Sequence, residues 1–177
     1  MKRLILMGLA LLLALSAGAQ ENPDAALMAR ILEANMPVST LQASWTQVKH
    51  SPLLEENLHS EGKVWLRQPD AVRWEILQPV QRVNILNGAS PRGRFRLPTE
   101  KDFELTVLES DVYSVQLLPT RRDLRQMLGR IVLVVDRETL LIRKVTLIGE
   151  DGGWAQLEFH HIVKEEELPD SLFEKKE

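Results

Sequence analysis

Three short extended segments between residues 62 and 88 constrain the fold of this chain more than any other stretch. They read GKVWLRQPDAVRWEILQPVQRVNILNG, with interruptions at Pro69 and Pro79. A proline pushes the preceding residue toward extended geometry and removes one N–H donor, while Val, Ile, Leu and Trp favour a pleated, half-buried surface. The stretch therefore predicts a β-meander of three strands.

Arg73 is the unusual residue of this meander. It lies between Val72 and Trp74, and successive side chains of a strand point to opposite faces. If Val72 and Trp74 pack on one side of the sheet, Arg73 must face the other side.

The first 19 residues have the pattern of a secretory signal peptide. A basic start at Lys2 and Arg3 precedes an apolar run over 4–15 and an Ala-Gly-Ala stretch suited to cleavage. The apolar run is shorter than the roughly 20 residues of a transmembrane helix. We expect cleavage rather than an uncleaved anchor, so residues 1–19 are not expected to be part of the folded domain.

Composition narrows the class of the exported chain. There is no cysteine, so the chain has neither disulfides nor a lipidated cysteine. Removing Lys2 and Arg3 leaves 20 basic residues against 25 acidic ones, a formal charge of −5, which argues against nucleic acid as a partner. Residues 20–177 fit one soluble, monomeric domain with a core of its own.

Apolar periodicity before the meander predicts one helix and one strand. A cap at Asn22-Pro23-Asp24 precedes a helix ending near Pro37. Its apolar stripe consists of Leu27, Met28, Ile31, Leu32 and Met36. This helix is expected to cover a sheet, or, as a refinement, to form a movable cover over a ligand.

The first strand is predicted over 41–49, with Leu41, Ala43, Trp45 and Gln47 on one face. In the loop that follows, Leu53, Leu54 and Leu58 are expected to tether the loop to the core rather than form an exposed apolar tip. After the meander, the basic connection over 89–101 is expected to be a solvated loop rather than a nucleic-acid site.

The second half predicts further antiparallel sheet. Five strand-length segments follow residue 102, with a hairpin across Arg137-Glu138-Thr139 and a helical turn or irregular link near Leu124. The result is an α+β fold: a strongly curved antiparallel sheet of about ten strands, with the N-terminal helix over its concave face. A single helix of about 21 Å cannot cover such a sheet, so part of that face is a candidate site for an apolar ligand.

Catalytic patterns are absent from the sequence. It contains no cysteine nucleophile, no GxSxG, no glycine-rich phosphate loop and no HExxH. His160 and His161 are adjacent on one predicted strand and are expected to point to opposite faces, which disfavours a shared metal. We expect a binding protein that is not an enzyme and needs neither a metal nor a cofactor.

The segment GKVWLRQPDAVRWEILQP resembles the periplasmic outer-membrane lipoprotein carrier proteins of the LolA type. It is similar to their Arg-Pro-x-x-φ-Arg-Trp pattern and the proline that follows, and LQASWTQ is similar to their first strand. The closing PDSLF resembles carriers from the Bacteroidetes. The resemblance extends from about Asn22 to Phe173.

This resemblance implies an unclosed β-barrel whose apolar interior shelters the acyl chains of a lipoprotein crossing the periplasm. The implied partners are an inner-membrane lipoprotein-releasing ABC transporter and an outer-membrane acceptor. Arg73 matches a family arginine that holds the lid of the empty carrier shut, against the alternative of a structural pairing with Glu75. The expected ligand-binding residues are Arg73, Leu41, Ala43, Trp45, Leu27, Ile31 and Met28.

The connection after Gly88 departs from the family, whose longer insert there carries lid helices. The resemblance therefore does not imply a complete lid in this chain. The alternatives to a carrier are an envelope regulatory or sensor module, which the short single domain disfavours, and a free-lipid-binding protein of the same fold.

Overall fold

A computed structural model describes residues 23–35, 39–68, 71–86 and 102–174. The predicted signal peptide over 1–19 and the basic connection over 89–101 lie outside these ranges. The helices are α1 (Pro23–Asn35) and α2 (Arg122–Arg125), and a 3-10 helix spans Asp170–Phe173. The strands are β1 (Thr40–His50), β2 (Leu58–Arg67), β3 (Ala71–Gln78), β4 (Arg82–Leu86), β5 (Phe103–Glu109), β6 (Tyr113–Pro119), β7 (Arg130–Val135), β8 (Ile142–Ile148) and β9 (Trp154–Lys164).

These strands form one sheet in the order β4-β3-β2-β1-β9-β8-β7-β6-β5. The pairs β2–β3, β3–β4, β5–β6, β6–β7 and β7–β8 are antiparallel. The α+β class and the unclosed antiparallel sheet are confirmed, with nine strands in the described ranges where about ten were expected. None of the described helices combines the length and apolar character needed to cross a membrane.

The described residues fall into two compact units. The first contains those within 1–36, 49–57 and 96–156, and the second contains those within 37–48, 58–95 and 157–177. The assignment of residues 20–177 to a single LolA-like domain stays a prediction.

Helix α1 belongs to the first unit and buries one side. Met28, Ile31 and Leu32 are buried, as the apolar stripe predicted, and Leu27 is partly exposed. The same unit buries an aliphatic core from β6, β7 and β8, whose alternate residues point inward. These core residues are Val115, Leu117, Ile131, Leu133, Val135, Val145 and Leu147.

Both ends of α1 are fastened by side chains. Near its start, the Asp24 carboxylate accepts the Val107 N–H of β5 at 3.2 Å. At its end, the Asn35 amide donates to the Leu140 carbonyl at 2.7 Å and accepts the Ile142 N–H at 2.9 Å. Polar groups at both ends therefore tie the helix to the rest of its unit.

The predicted β7–β8 hairpin is confirmed, and its turn is built without glycine. Leu140 takes the left-handed backbone conformation, at φ 56°, that a glycine usually supplies. The Asp136 carboxylate accepts the Thr139 N–H and hydroxyl, both at 2.8 Å, and the Glu138 N–H at 3.1 Å. The hydrogen bond from the Thr139 backbone is the main cause that lowers the pKa of Asp136.

The second unit contains the meander that the sequence predicted. Strand β2 pairs with β3 through partners such as Val64 and Trp74, and β3 pairs with β4. The ladder shifts register between Glu61 and Gly62. Val72 and Trp74 are buried while Arg73 is partly exposed, so the predicted alternation along β3 is confirmed.

Candidate functional site

The apolar face of β1 holds three of the predicted ligand-binding residues. Leu41, Ala43 and Trp45 are buried, and Gln47 follows them on the same face. The side chains between them are more exposed, as a period of two requires. Strand β1 therefore presents one buried and one more accessible face.

Trp45 and Trp74 form the centre of this face. Their ring centroids are 4.7 Å apart and their planes differ by 24°, a stacked arrangement. Gly62 leaves space for the Trp45 indole: a Cβ there would lie 2.6 Å and 2.8 Å from two indole carbons and would overlap the Glu75 carbonyl oxygen. Only glycine fits at this position. The sequence indicated a glycine opening the meander but gave no sign of the indole above it.

Several polar hydrogens on this face have no acceptor among the described residues. They are the indole N–H groups of Trp45 and Trp74 and the amide nitrogen of Gln47, all buried. The oxygen of the Gln47 amide accepts the Ser60 hydroxyl at 3.1 Å, which fixes the orientation of that amide. A buried donor without a partner is rare in folded proteins.

Arg73 lies on the opposite face of β3. Its guanidinium donates to the Leu172 carbonyl at 3.0 Å and pairs with Glu75 at 3.4 Å. It also lies 5.6 Å from the centroid of the Trp65 ring, the residue that faces it across β2–β3. The alternative pairing with Glu75 is thus present, and Arg73 also holds the C-terminal turn. Its role as a lid latch stays a prediction.

A second arginine strengthens the hold on the C-terminal turn. Arg67 pairs with Asp170 and places its guanidinium 4.4 Å from the centroid of the Phe173 ring. Phe173 is only 1% exposed, so this aromatic side chain anchors the end of the described chain. Sequence patterning did not indicate the two arginines that hold this turn.

The predicted site residues divide between the two units. Leu27, Met28 and Ile31 lie on α1 in the first unit. Leu41, Ala43, Trp45 and Arg73 lie in the second unit, with Arg73 on the other face of the sheet from Trp45.

The predicted tether at Leu53, Leu54 and Leu58 is wrong. These side chains are 92%, 46% and 51% exposed. The loop folds on itself instead, because the Leu54 N–H donates to the Ser51 carbonyl at 3.0 Å. Its base is closed by His50, which stacks on Trp154 with ring centroids 5.8 Å apart. The local turn directs the leucines outward.

The prediction that His160 and His161 point to opposite faces is also wrong. The imidazole of His160 lies 3.1 Å from the Thr46 hydroxyl, and that of His161 lies 3.1 Å from the Ser44 hydroxyl. Ser44 and Thr46 are two residues apart on β1 and share a face. His161 has a φ of 51°, and this left-handed residue interrupts the alternation of β9.

An ion-pair cluster in the first unit carries further pKa shifts. The Arg121 guanidinium hydrogen-bonds Asp123, which raises the pKa of Arg121 and lowers that of Asp123. Arg121 also lies 3.6 Å from the buried carboxylate of Asp102. The cluster positions the start of α2.

Part of the chain, which includes the buried tryptophan face, matches a known protein family. Residues 37–90 match the family model described as outer membrane lipoprotein carrier protein LolA. This match covers β1 to β4, the strands that build the tryptophan face, and the predicted LolA-like resemblance is confirmed. The Bacteroidetes-type detail stays a prediction. No curated protein sequence matches the chain.

Solved structures share the fold at low sequence identity. A crystal structure of MucB has a TM-score of 0.53 and 16% identity, covering 86% of this chain and 62% of that one. MucB in complex with MucA(peri) has a TM-score of 0.52 and 18% identity, covering 86% and 60%. This chain therefore spans about three fifths of MucB. A LolA superfamily protein, NE2245 from Nitrosomonas europaea, has a TM-score of 0.47 and 12% identity, covering 86% and 97%.

Proposed function

We propose that this protein is a periplasmic carrier that shelters the acyl chains of lipoproteins and moves them from the inner to the outer membrane. The observation that carries the proposal is the family match over 37–90, because it falls on the strands that build the buried tryptophan face. The proposed partners are a lipoprotein-releasing ABC transporter at the inner membrane and an acceptor at the outer membrane. The carrier acts as a monomer and without enzymatic activity.

The physical need for such a carrier follows from the cargo. Each CH₂ group of an acyl chain costs about 0.8 kcal/mol to expose to water, so a lipidated protein does not leave a membrane unshielded. An apolar face supplies that shielding. The side chains of Leu41, Ala43 and Trp45 are of the required aliphatic and aromatic kind, and they are buried in the structure, so cargo reaches them only after an opening.

Release sets a second requirement. A carrier must bind cargo less strongly than the membrane or acceptor that receives it, so part of the binding free energy is offset by a conformational cost. In this proposal Arg73, on the other face of β3, contributes to that cost by holding the C-terminal turn through the Leu172 carbonyl in the empty state.

Capture of native cargo tests the proposal. The chain is exported in cells, purified from the periplasm without detergent, and its bound material is analysed by mass spectrometry for acylated peptides. Acylated N-terminal peptides support carriage. A matched test uses one synthetic lipopeptide with and without its acyl chains, and equal binding of both forms contradicts carriage.

The same experiment separates the alternatives. Free lipid without acylated peptide indicates a free-lipid-binding protein. Capture of an unacylated protein segment together with equal binding of both peptide forms indicates a regulatory or sensor module. The latter alternative is kept because MucB, which shares the fold, has been crystallised with MucA(peri).

A further inference from the structure

The unpaired donors on the tryptophan face have a common chemistry. Trp45, Gln47 and Trp74 each present a neutral N–H group that finds no acceptor in the described part of the chain. Their side chains are 1%, 6% and 4% exposed, so bulk water does not replace the missing partner. From this we infer that the three residues form a subsite for the carbonyl oxygens of ester-linked acyl chains. This inference rests on the proposed carrier function.

The three donors belong to one surface. Trp45 and Gln47 are two residues apart on β1, which places them on the same face about 7 Å apart along the strand. Trp74 reaches that face from β3, because its ring stacks on Trp45. The three side chains therefore lie on one face of the second unit.

The fold keeps these donors in place. Gly62 accommodates the Trp45 ring, and the Ser60 hydroxyl holds the oxygen of the Gln47 amide, which leaves the NH₂ group as the free end. A buried donor that lacks an acceptor has lost its hydrogen bond to water and gained none in the protein, which costs free energy. A ligand that brings acceptors would remove this cost once the side chains that cover the donors move aside.

The surroundings select a neutral acceptor. Ala43 and Leu41 lie beside Trp45 on β1, and Val64 pairs with Trp74 across β2–β3. These neighbours are apolar, and the guanidinium of Arg73 is directed to the opposite face, toward Leu172. An anionic head group placed at the donors would lack a counter-charge from Arg73, whereas ester carbonyls are neutral and follow directly after an apolar chain. The subsite thus reads the linkage between glycerol and acyl chain.

A matched lipid pair tests the inference. The ligands are a diacylglycerol and a dialkyl-ether glycerol of equal chain length, which differ only in the two carbonyl groups. Binding is measured with radiolabelled lipid, so that loss of tryptophan fluorescence does not affect the result. The wild-type chain is expected to bind the diester about tenfold more tightly than the diether, as hydrogen bonds to two carbonyls would give.

Variants identify the donors. Trp45→Phe and Trp74→Phe keep an aromatic ring and remove the N–H group. Gln47→Met removes the amide and serves as the donor variant if a tryptophan variant fails to fold. Each variant should reduce the preference for the diester over the diether to about threefold or less, whatever its effect on the affinity for both lipids. Trp154→Phe, which alters the tryptophan stacked on His50, is the control and should retain the full preference.

The outcomes separate the subsite from the carrier. Equal wild-type affinity for diester and diether overturns the subsite and leaves carriage intact. A preference that survives in all three donor variants also overturns it. Failure of the wild-type chain to bind either lipid also overturns the subsite, whereas carriage itself is decided by the lipopeptide pair described above.

Discussion

Gly62 provides the sharpest test of how the tryptophan face is built. In Gly62→Ala the new methyl group would lie 2.6 Å and 2.8 Å from two carbons of the Trp45 indole and would overlap the Glu75 carbonyl oxygen. Ordinary carbon contacts begin near about 3.5 Å, so the ring must move by roughly 0.8 Å while the backbone of β3 also shifts. Neither neighbour is the free end of a flexible side chain.

The expected cost of this substitution is at the upper end of overpacking, about 3 kcal/mol. In a chain of this length the melting temperature should fall by roughly 6 to 12 °C. Urea unfolding gives the free energy, and near-ultraviolet circular dichroism reports the stacked Trp45–Trp74 pair. Both signals should change together because one displacement causes them.

Gly129→Ala is the matched control. The nearest atom to its new methyl group would be a carboxylate oxygen of Glu150 at 3.0 Å, the mobile end of a side chain. This variant should be neutral or slightly stabilising, because alanine restricts the unfolded chain. If Gly62→Ala is as stable as Gly129→Ala and keeps its near-ultraviolet spectrum, the reasoning about the tryptophan face is refuted.

Three further predictions concern the fastened ends of the molecule and one turn. Asn35→Ala should lower the free energy of unfolding by about 1 to 3 kcal/mol, since it leaves the Leu140 carbonyl and the Ile142 N–H of β8 without partners. Hydrogen exchange in β8 should become faster in this variant. Arg73→Leu should leave the sheet folded and speed hydrogen exchange around Leu172, and unchanged exchange there would contradict the clasp. If Arg73 is also a latch, this variant retains cargo. The pKa of Asp136 is lowered in the folded state, so its carboxylate stabilises the fold at pH values above its ordinary pKa of 3.8. This stabilisation is lost as the pH falls through the pKa of the folded state. In Asp136→Ala, the free energy of unfolding should therefore lose less between neutral and acid pH than in the wild-type chain.

Alternation made much of the fold predictable. A period of two assigned the buried side of β1 and the opposite directions of Arg73 and Trp74, because the pleat alone fixes them. The proline and the apolar stripe located α1 within a residue or two, since both act within a single turn of helix. These features depend on neighbours close in sequence.

Features that depend on distant neighbours were not predictable. Asn35 is a helix-terminal residue in the sequence, and its partner Leu140 is 105 residues away. Trp45 and Trp74 gave separate strand signals with no sign that they stack. The outward direction of Leu53 follows from a turn that closes on itself, whereas its apolar character alone suggested burial.

The attachments of α1 limit what a lid can be in this protein. Freeing the helix would break hydrogen bonds at Asp24 and Asn35, each contributing about 1 kcal/mol, and would expose Met28, Ile31 and Leu32. Exposing those side chains costs about 1.5 to 3 kcal/mol each. The total, roughly 7 to 12 kcal/mol, is comparable to the gain from burying a chain of about 12 CH₂ groups. Peeling α1 away would thus cancel most of the affinity for an acyl chain, so any opening that accompanies cargo binding must leave α1 attached to its own unit.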